Sequence, residues 1–130
     1  MCGVIRYEIT RAPIVVYTCN CTDCQRITSS AFSIGVVLHA DAVHLSGEPR
    51  IVESVADSGG VKQRLICPNC GIWIGGLPKV GTQVAGYTRV IRAGTLDDTS
   101  WVRPRTHYWT RSKQPWVLFP PEDEQCETQP

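Results

Sequence analysis

No apolar run in the 130 residues approaches the roughly 18 needed to cross a membrane. The N-terminus, MCGVIRYEIT, has no basic start and sets Arg6 and Glu8 inside its only apolar stretch. No secretory signal is read there, and the cytosol is the expected compartment. An excess of one charge is also missing. Thirteen Lys and Arg face twelve Asp and Glu, so the formal net charge of +1 lacks the bulk positive charge that points to nucleic acid. No long helical period and no internal repeat appear. The length fits a single domain, and 42% hydrophobic against 19% charged residues describes a chain able to bury a core.

What the chain does have is seven cysteines. An odd number forbids complete internal pairing, and without an oxidising compartment metal binding or thiol chemistry becomes the leading reading. The cysteines cluster: Cys19, Cys21 and Cys24 form one knot, Cys67 and Cys70 another, while Cys2 and Cys126 stand alone.

Short segments rich in Val, Ile, Tyr and Trp recur between turn residues, so the class is mainly β with small antiparallel sheets and at most one short helix. Candidate strands are 4–9, 13–18, 33–38, 50–55, 61–66, 72–75, 84–93 and 107–110, with turns at Gly47, Glu48, Pro49 and at Ser58, Gly59, Gly60. Thr22-Asp23-Cys24-Gln25 has the form of a capping box, which predicts a short helix whose first amides face the thiolates. From Pro120 the chain reads PPEDEQCETQP, and residues 120–130 are expected to be an acidic, solvated tail after a domain of 1–119. The tail's four acids leave eight against all thirteen bases in residues 1–119, a surplus of five. A nucleic-acid role has only that surplus behind it and is not expected.

The CxCxxC of Cys19, Cys21 and Cys24 lets a tight turn aim three sulfurs at one zinc, each at roughly 2.3 Å, with one tetrahedral position left over. In the second knuckle, Cys67-Pro68-Asn69-Cys70-Gly71, the glycine supplies the positive φ that such a turn needs. A thioredoxin-like reading fails because no βαβ setting surrounds either motif. Two arrangements remain open on spacing. One is a single ribbon site of Cys21, Cys24, Cys67 and Cys70, with 42 residues between the pairs. The other is two ions, one on Cys19, Cys21 and Cys24, the second on Cys67, Cys70 and a cysteine of the N-terminal strand, for which Cys2 is the natural recruit. Cys126 enters neither scheme and reads as a free thiol.

The run from Cys2 to Glu8, the CNCTDCQRITSSAFS of Cys19 to Ser33, the knuckle ICPNCG, the AGTLDD of Ala93 to Asp98 and the HYWTRSKQPWV of His107 to Val117 resemble, in order and spacing, the glutathione-dependent formaldehyde-activating enzyme family. The resemblance covers residues 2 to about 118. It implies a β-tent fold with two zinc ions, Cys2, Cys67 and Cys70 on a structural site and Cys19, Cys21 and Cys24 on a catalytic one. The activity it implies joins glutathione to formaldehyde as S-hydroxymethylglutathione, a carbon-sulfur lyase reaction. Other members, including a centromere-associated protein, have non-enzymatic roles, so a zinc-binding scaffold is the alternative. The chain departs from the family pattern at three places. The family opens with CxCG, whereas Met1 directly precedes Cys2; an upstream start, another donor or a weak structural site would each account for that. Asn20 stands where the family often has His, and Ser29 where Gly is common, which bears on substrate choice.

Three thiolates make zinc a poor activator of water but a good host for a soft incoming thiol, which then attacks a small carbonyl. His107 is the expected acid for the resulting alkoxide, since it belongs to the HxW element and titrates in the right range. Its alternative is a packed structural histidine. His39 and His44 flank a turn and read as surface residues. Glutathione carries two carboxylates, so Arg or Lys should lie near the thiol site. Arg26, two residues past the knot, is the expected substrate-binding group, with Arg111 and Lys113 as possible helpers. Trp73, Trp109 and Trp116 are expected as core or cleft-wall aromatics, and Asp97 and Asp98 as turn residues.

Overall fold

The computed structural model of the chain describes residues 2–56, 59–77 and 87–129. Ten strands and one α-helix are present among them: β1 (Arg6–Ile9), β2 (Val15–Cys19), α1 (Thr22–Thr28), β3 (Ser33–His39), β4 (Val43–Ser46), β5 (Arg50–Val55), β6 (Val61–Ile66), β7 (Trp73–Leu77), β8 (Thr88–Arg92), β9 (Thr106–Tyr108) and β10 (Glu124–Cys126). The mainly β expectation holds. β1 and β4 form an antiparallel pair, and the other eight run in the order β10-β9-β2-β3-β8-β7-β6-β5. β9 pairs parallel with both β2 and β10, and the remaining ladders are antiparallel.

The large sheet buries both faces, and strand alternation decides what each face receives. On β3, Val36 and Leu38 are fully buried on one face with Ile91, Leu65 and Ile74, and the β1–β4 pair covers them through Ile5, Tyr7, Ile9, Val43 and Leu45. On the other face Tyr17 and Cys19 pack with Val37, Val90, Tyr108 and Trp109. Gly75 is obligatory where β7 meets β8, because a Cβ there would collide with the Val90 backbone carbonyl. Gly75→Ala is expected to cost about 2–3 kcal/mol, read as a lowered denaturation midpoint with an unchanged m-value.

Two strands were not foreseen. β4 follows a 3-10 turn at Ala40–Ala42 and owes its ladder to β1, 40 residues earlier at the Arg6–Ser46 end of the register, rather than to its own short VHLS pattern. β10 corrects the expectation of a solvated tail from residue 120. Glu124, Gln125 and Cys126 pair in parallel with Thr106, His107 and Tyr108, and Asp123 is buried. The expected strand 84–93 is β8 over Thr88–Arg92, with residues 84–86 outside the described residues, as is Ser58 of the second turn.

The helix after the cysteine knot is present, but its cap sits one residue earlier than the box predicts. Cys21 is the N-cap, its sulfur accepting from the Cys24 amide at 3.4 Å. Gln25 instead donates to the carbonyls of Asn20, at 2.7 Å, and Ser112, at 2.9 Å. Ser29 closes the helix at φ 52°, a left-handed conformation that an L side chain resists. A glycine there would avoid that strain, so Ser29→Gly is expected to stabilise the chain by about 0.5–1 kcal/mol and raise its melting temperature by a few degrees.

Candidate metal centre

The structure separates the six clustered cysteines into two trios, Cys19, Cys21, Cys24 and Cys2, Cys67, Cys70, and within each the sulfurs all lie within 4.8 Å of one another. The single-ribbon alternative, which takes two cysteines from each trio, is thereby ruled out. All seven cysteines are free, Cys126 included. The Cys19 and Cys21 sulfurs are 3.5 Å apart, as are those of Cys2 and Cys67. Thiolates at roughly 2.3 Å around a tetrahedral zinc stand about 3.8 Å from one another, so both trios fit such an ion with little adjustment. Among the described residues no fourth histidine, cysteine or carboxylate joins either trio.

Each trio is built by local backbone and then fixed by distant chain. In the knuckle, the Gly71 amide donates to the Cys67 carbonyl and the Cys67 amide to the Ile72 carbonyl, both at 3.0 Å, with Gly71 at the anticipated positive φ of 73°. Cys67 is buried against the main core, and the exposed Cys2 is brought to it from the N-terminus. Hydrogen bonds from the Val4 backbone, then from Asn69, Cys70 and Cys67, lower the Cys2 thiol to about 6. That favours the thiolate form a metal requires.

The CxCxxC trio lies on the opposite face of the sheet. Cys19 ends β2 and Cys21 caps α1, while Asn20 between them is fully buried and ties the loop to the C-terminal half. Its amide nitrogens reach the Tyr108 carbonyl, from the backbone at 3.0 Å and from the side chain at 2.9 Å, and Ser112 and Gln25 both donate to its own carbonyl. The HYWTRS motif is therefore the brace of the cysteine loop. Cys21 is held far below the usual thiol range because the Cys19 and Cys24 thiols and the Cys24 amide donate to it, with Lys62 adding positive field. Cys19 is pushed up by the same neighbours and by burial. A trio that shares protons in this way has one anionic sulfur ready and sheds the rest to a cation.

His107 is not brought to this trio. The parallel register sets Tyr108 beside Cys19, so His107 faces the opposite side, where it is 3% exposed. Its Nδ1 is 2.8 Å from the Thr18 hydroxyl, its Nε2 is 3.3 Å from Asp123, and its ring stacks on Phe119 at 3.7 Å. Each ring nitrogen thus has one polar partner, the Thr18 hydroxyl on Nδ1 and the Asp123 carboxyl on Nε2. Both nitrogens are spent, and the expectation of a general acid at His107 gives way to a packed structural histidine. Arg26 has a side chain 79% exposed and 3.9 Å from Asp23 on its own helix, the carboxylate that also holds Lys62.

Other groups occupy the sulfur-bearing face. Ser33 is within hydrogen-bonding reach of Cys24 and accepts from Arg92 Nη1 at 3.1 Å. Arg92 stacks on Trp73 at 3.9 Å and lies close enough to Tyr17 for its charge to act on the phenol, and Lys62 sits 3.5 Å from Asp23. Burial raises the Tyr17 phenol and keeps it protonated. The alternation of Lys62 and Arg64 in VKQRLI was visible in the sequence, but not the register that brings Lys62 near Cys21 and Arg64 over Trp73. Arg111 lies over Trp109 at 4.9 Å and Lys113 donates to the Val117 carbonyl, whereas Trp116 is 69% exposed and correspondingly not a core residue. His39 and His44 are exposed, Asp97 pairs with Arg6, and Asp98 accepts from the Ser100 amide.

A small, mainly β protein carrying two trios of free cysteines, each able to hold a metal ion, has the ligand sets of a zinc-binding fold. Residues 1–112 match the family model of the glutathione-dependent formaldehyde-activating enzyme, and the chain belongs to that family. No match was found among curated proteins. No helix of the described residues is long and apolar enough to cross a membrane.

Proposed function

We propose that the chain is a zinc-dependent enzyme of the carbon-sulfur lyase type, joining glutathione or a related thiol to a small aldehyde such as formaldehyde. The observation that carries this reading is the convergence of Cys19, Cys21 and Cys24 with Lys62, Arg92 and Tyr17 on one sheet face. Zinc bound by Cys19, Cys21 and Cys24 would accept a substrate thiol as its thiolate near neutral pH. The cysteines hold the cation, Ser33 orients Cys24, and Lys62 balances the negative sulfurs. The substrate sulfur adds to the aldehyde carbon and the carbonyl electron pair moves to oxygen. Tyr17, two residues from Cys19 and kept protonated, is the donor this face offers for that oxygen, and the proton released from the thiol restores the phenol. Cys2, Cys67 and Cys70 would hold a second zinc that pins the N-terminus to the knuckle. Seven unbridged cysteines suit a reducing compartment such as the cytoplasm.

Cobalt substitution tests the reading. Adding glutathione to the cobalt-loaded protein is expected to strengthen the sulfur-to-cobalt charge-transfer bands. A spectrum indifferent to the thiol removes the basis of the proposal.

A further inference from the structure

Trp73 lies beside two guanidinium groups. Arg92 is 3.9 Å from its ring centroid and Arg64 5.8 Å, and the indole is fixed by a 2.8 Å bond from Nε1 to the Gly75 carbonyl. The strand register gives the three one neighbourhood: Gly76 stands between Arg64 of β6 and Val90 of β8, so no side chain of β7 fills the space at that point. Among the described residues neither arginine is paired with a carboxylate. Their bonds are to neutral hydroxyls, Arg64 to Ser54 at 2.5 Å and Arg92 to Ser33 at 3.1 Å, and Arg92 Nε is buried without any partner. Two half-buried cations without anions are unusual, because each retains an electrostatic demand that protein dipoles meet only in part. Lys62, by contrast, is already matched by Asp23.

Ser33 supplies the connection to the sulfurs, since it accepts from Arg92 and lies within hydrogen-bonding reach of Cys24. We infer that Arg92 and Arg64, held around Trp73, form the anion-receiving end of the thiol site and select thiols that carry carboxylates. The inference rests on the proposed binding of a thiol at Cys19, Cys21 and Cys24 and adds to it which residues read the rest of the molecule. A guest sulfur at the trio places its own carboxylates toward β7 and β8, where planar guanidinium groups offer paired N–H donors. The indole supports both cations through its ring face and leaves their edges for the ligand. Arg26, on the solvent side of α1, has no part in this.

The test compares two thiols on cobalt-loaded protein, glutathione with its two carboxylates and uncharged 2-mercaptoethanol, each titrated by the charge-transfer band. The wild type is expected to bind glutathione at least tenfold more tightly. Arg64→Gln should weaken glutathione ten- to a hundredfold and leave 2-mercaptoethanol within twofold, and Arg92→Gln, which also removes the bond to Ser33, should weaken glutathione at least tenfold more than it weakens 2-mercaptoethanol. If both thiols bind but neither variant discriminates between them, or both thiols weaken equally, the arginines only balance the sulfur charge and the inference is overturned while the thiol site stands. If neither thiol perturbs the wild-type spectrum, the thiol site itself falls and the inference with it. Arg64→Gln keeps the test decisive should Arg92→Gln fail to fold, because Arg64 contacts only Ser54 and Trp73 among the contacts described above.

Discussion

The unaltered protein is expected to carry two metal ions per chain and Cys21→Ser one, and Cys67→Ser is expected to lose the other ion and much of its stability. The two outcomes differ because the trios occupy different structural positions. Cys21 belongs to a short loop whose shape is independently braced by Asn20, Gln25 and Ser112. Its loss removes a ligand and an N-cap, costing about 1 kcal/mol of local stability beyond the metal term. Cys67 is 2% exposed in the main core, and its trio is what brings Cys2 to the knuckle. A structural zinc on three or four thiolates supplies about 10 kcal/mol of apparent folding energy, so a chain deprived of it should unfold at far lower temperature. Metal content per chain with a thermal melt of each variant checks this. Loss of both ions from either single variant would contradict separate sites.

Removing residues 120–130 should cost about 2–4 kcal/mol, and Asp123→Ala most of that, although the composition of this segment is that of a solvated tail. Asp123 is 3% exposed at its side chain and faces a His107 side chain that is 4% exposed. Without the carboxyl group, the buried His107 Nε2 loses its partner at 3.3 Å and is left against Phe119 and the sheet face. Truncation also exposes the ladder edge of β9. Changes at a solvated tail typically fall within about 0.5 kcal/mol, so chemical denaturation separates the two views cleanly. The variants should leave metal content untouched, because the His107 cluster and the Cys19 trio lie on opposite faces of the sheet.

What the sequence made legible is what local spacing controls. CxCxxC and CPNCG each bring their sulfurs together within a turn, and the φ of Gly71 and the helix after Cys21 follow from the same few residues. Short runs rich in Val and Ile between turn residues, such as β3, were readable for the same reason. The rest depends on pairings between distant segments. The HYW motif marked His107 as chemically interesting, but which of His107 and Tyr108 faces Cys19 is set by a parallel register with β2, and a one-residue change in that register would exchange them. β10 is acidic and apolar-poor, and it forms because β9 offers it an open edge and His107 offers Asp123 a buried partner. The choice of Arg26 followed nearness along the chain. Arg64 and Arg92, 40 and 68 positions beyond Cys24, are brought to the same face only by the antiparallel ladders.

The most direct test of the account is a cadmium-113 NMR spectrum of the cadmium-loaded protein, whose chemical shifts report the number of sulfur ligands, recorded before and after addition of glutathione. Two resonances are predicted in the sulfur-rich region. The one that vanishes in Cys21→Ser should move downfield as the thiol binds, while the one that vanishes in Cys67→Ser stays in place. A single resonance, or a thiol response confined to the Cys67-dependent signal, would contradict it.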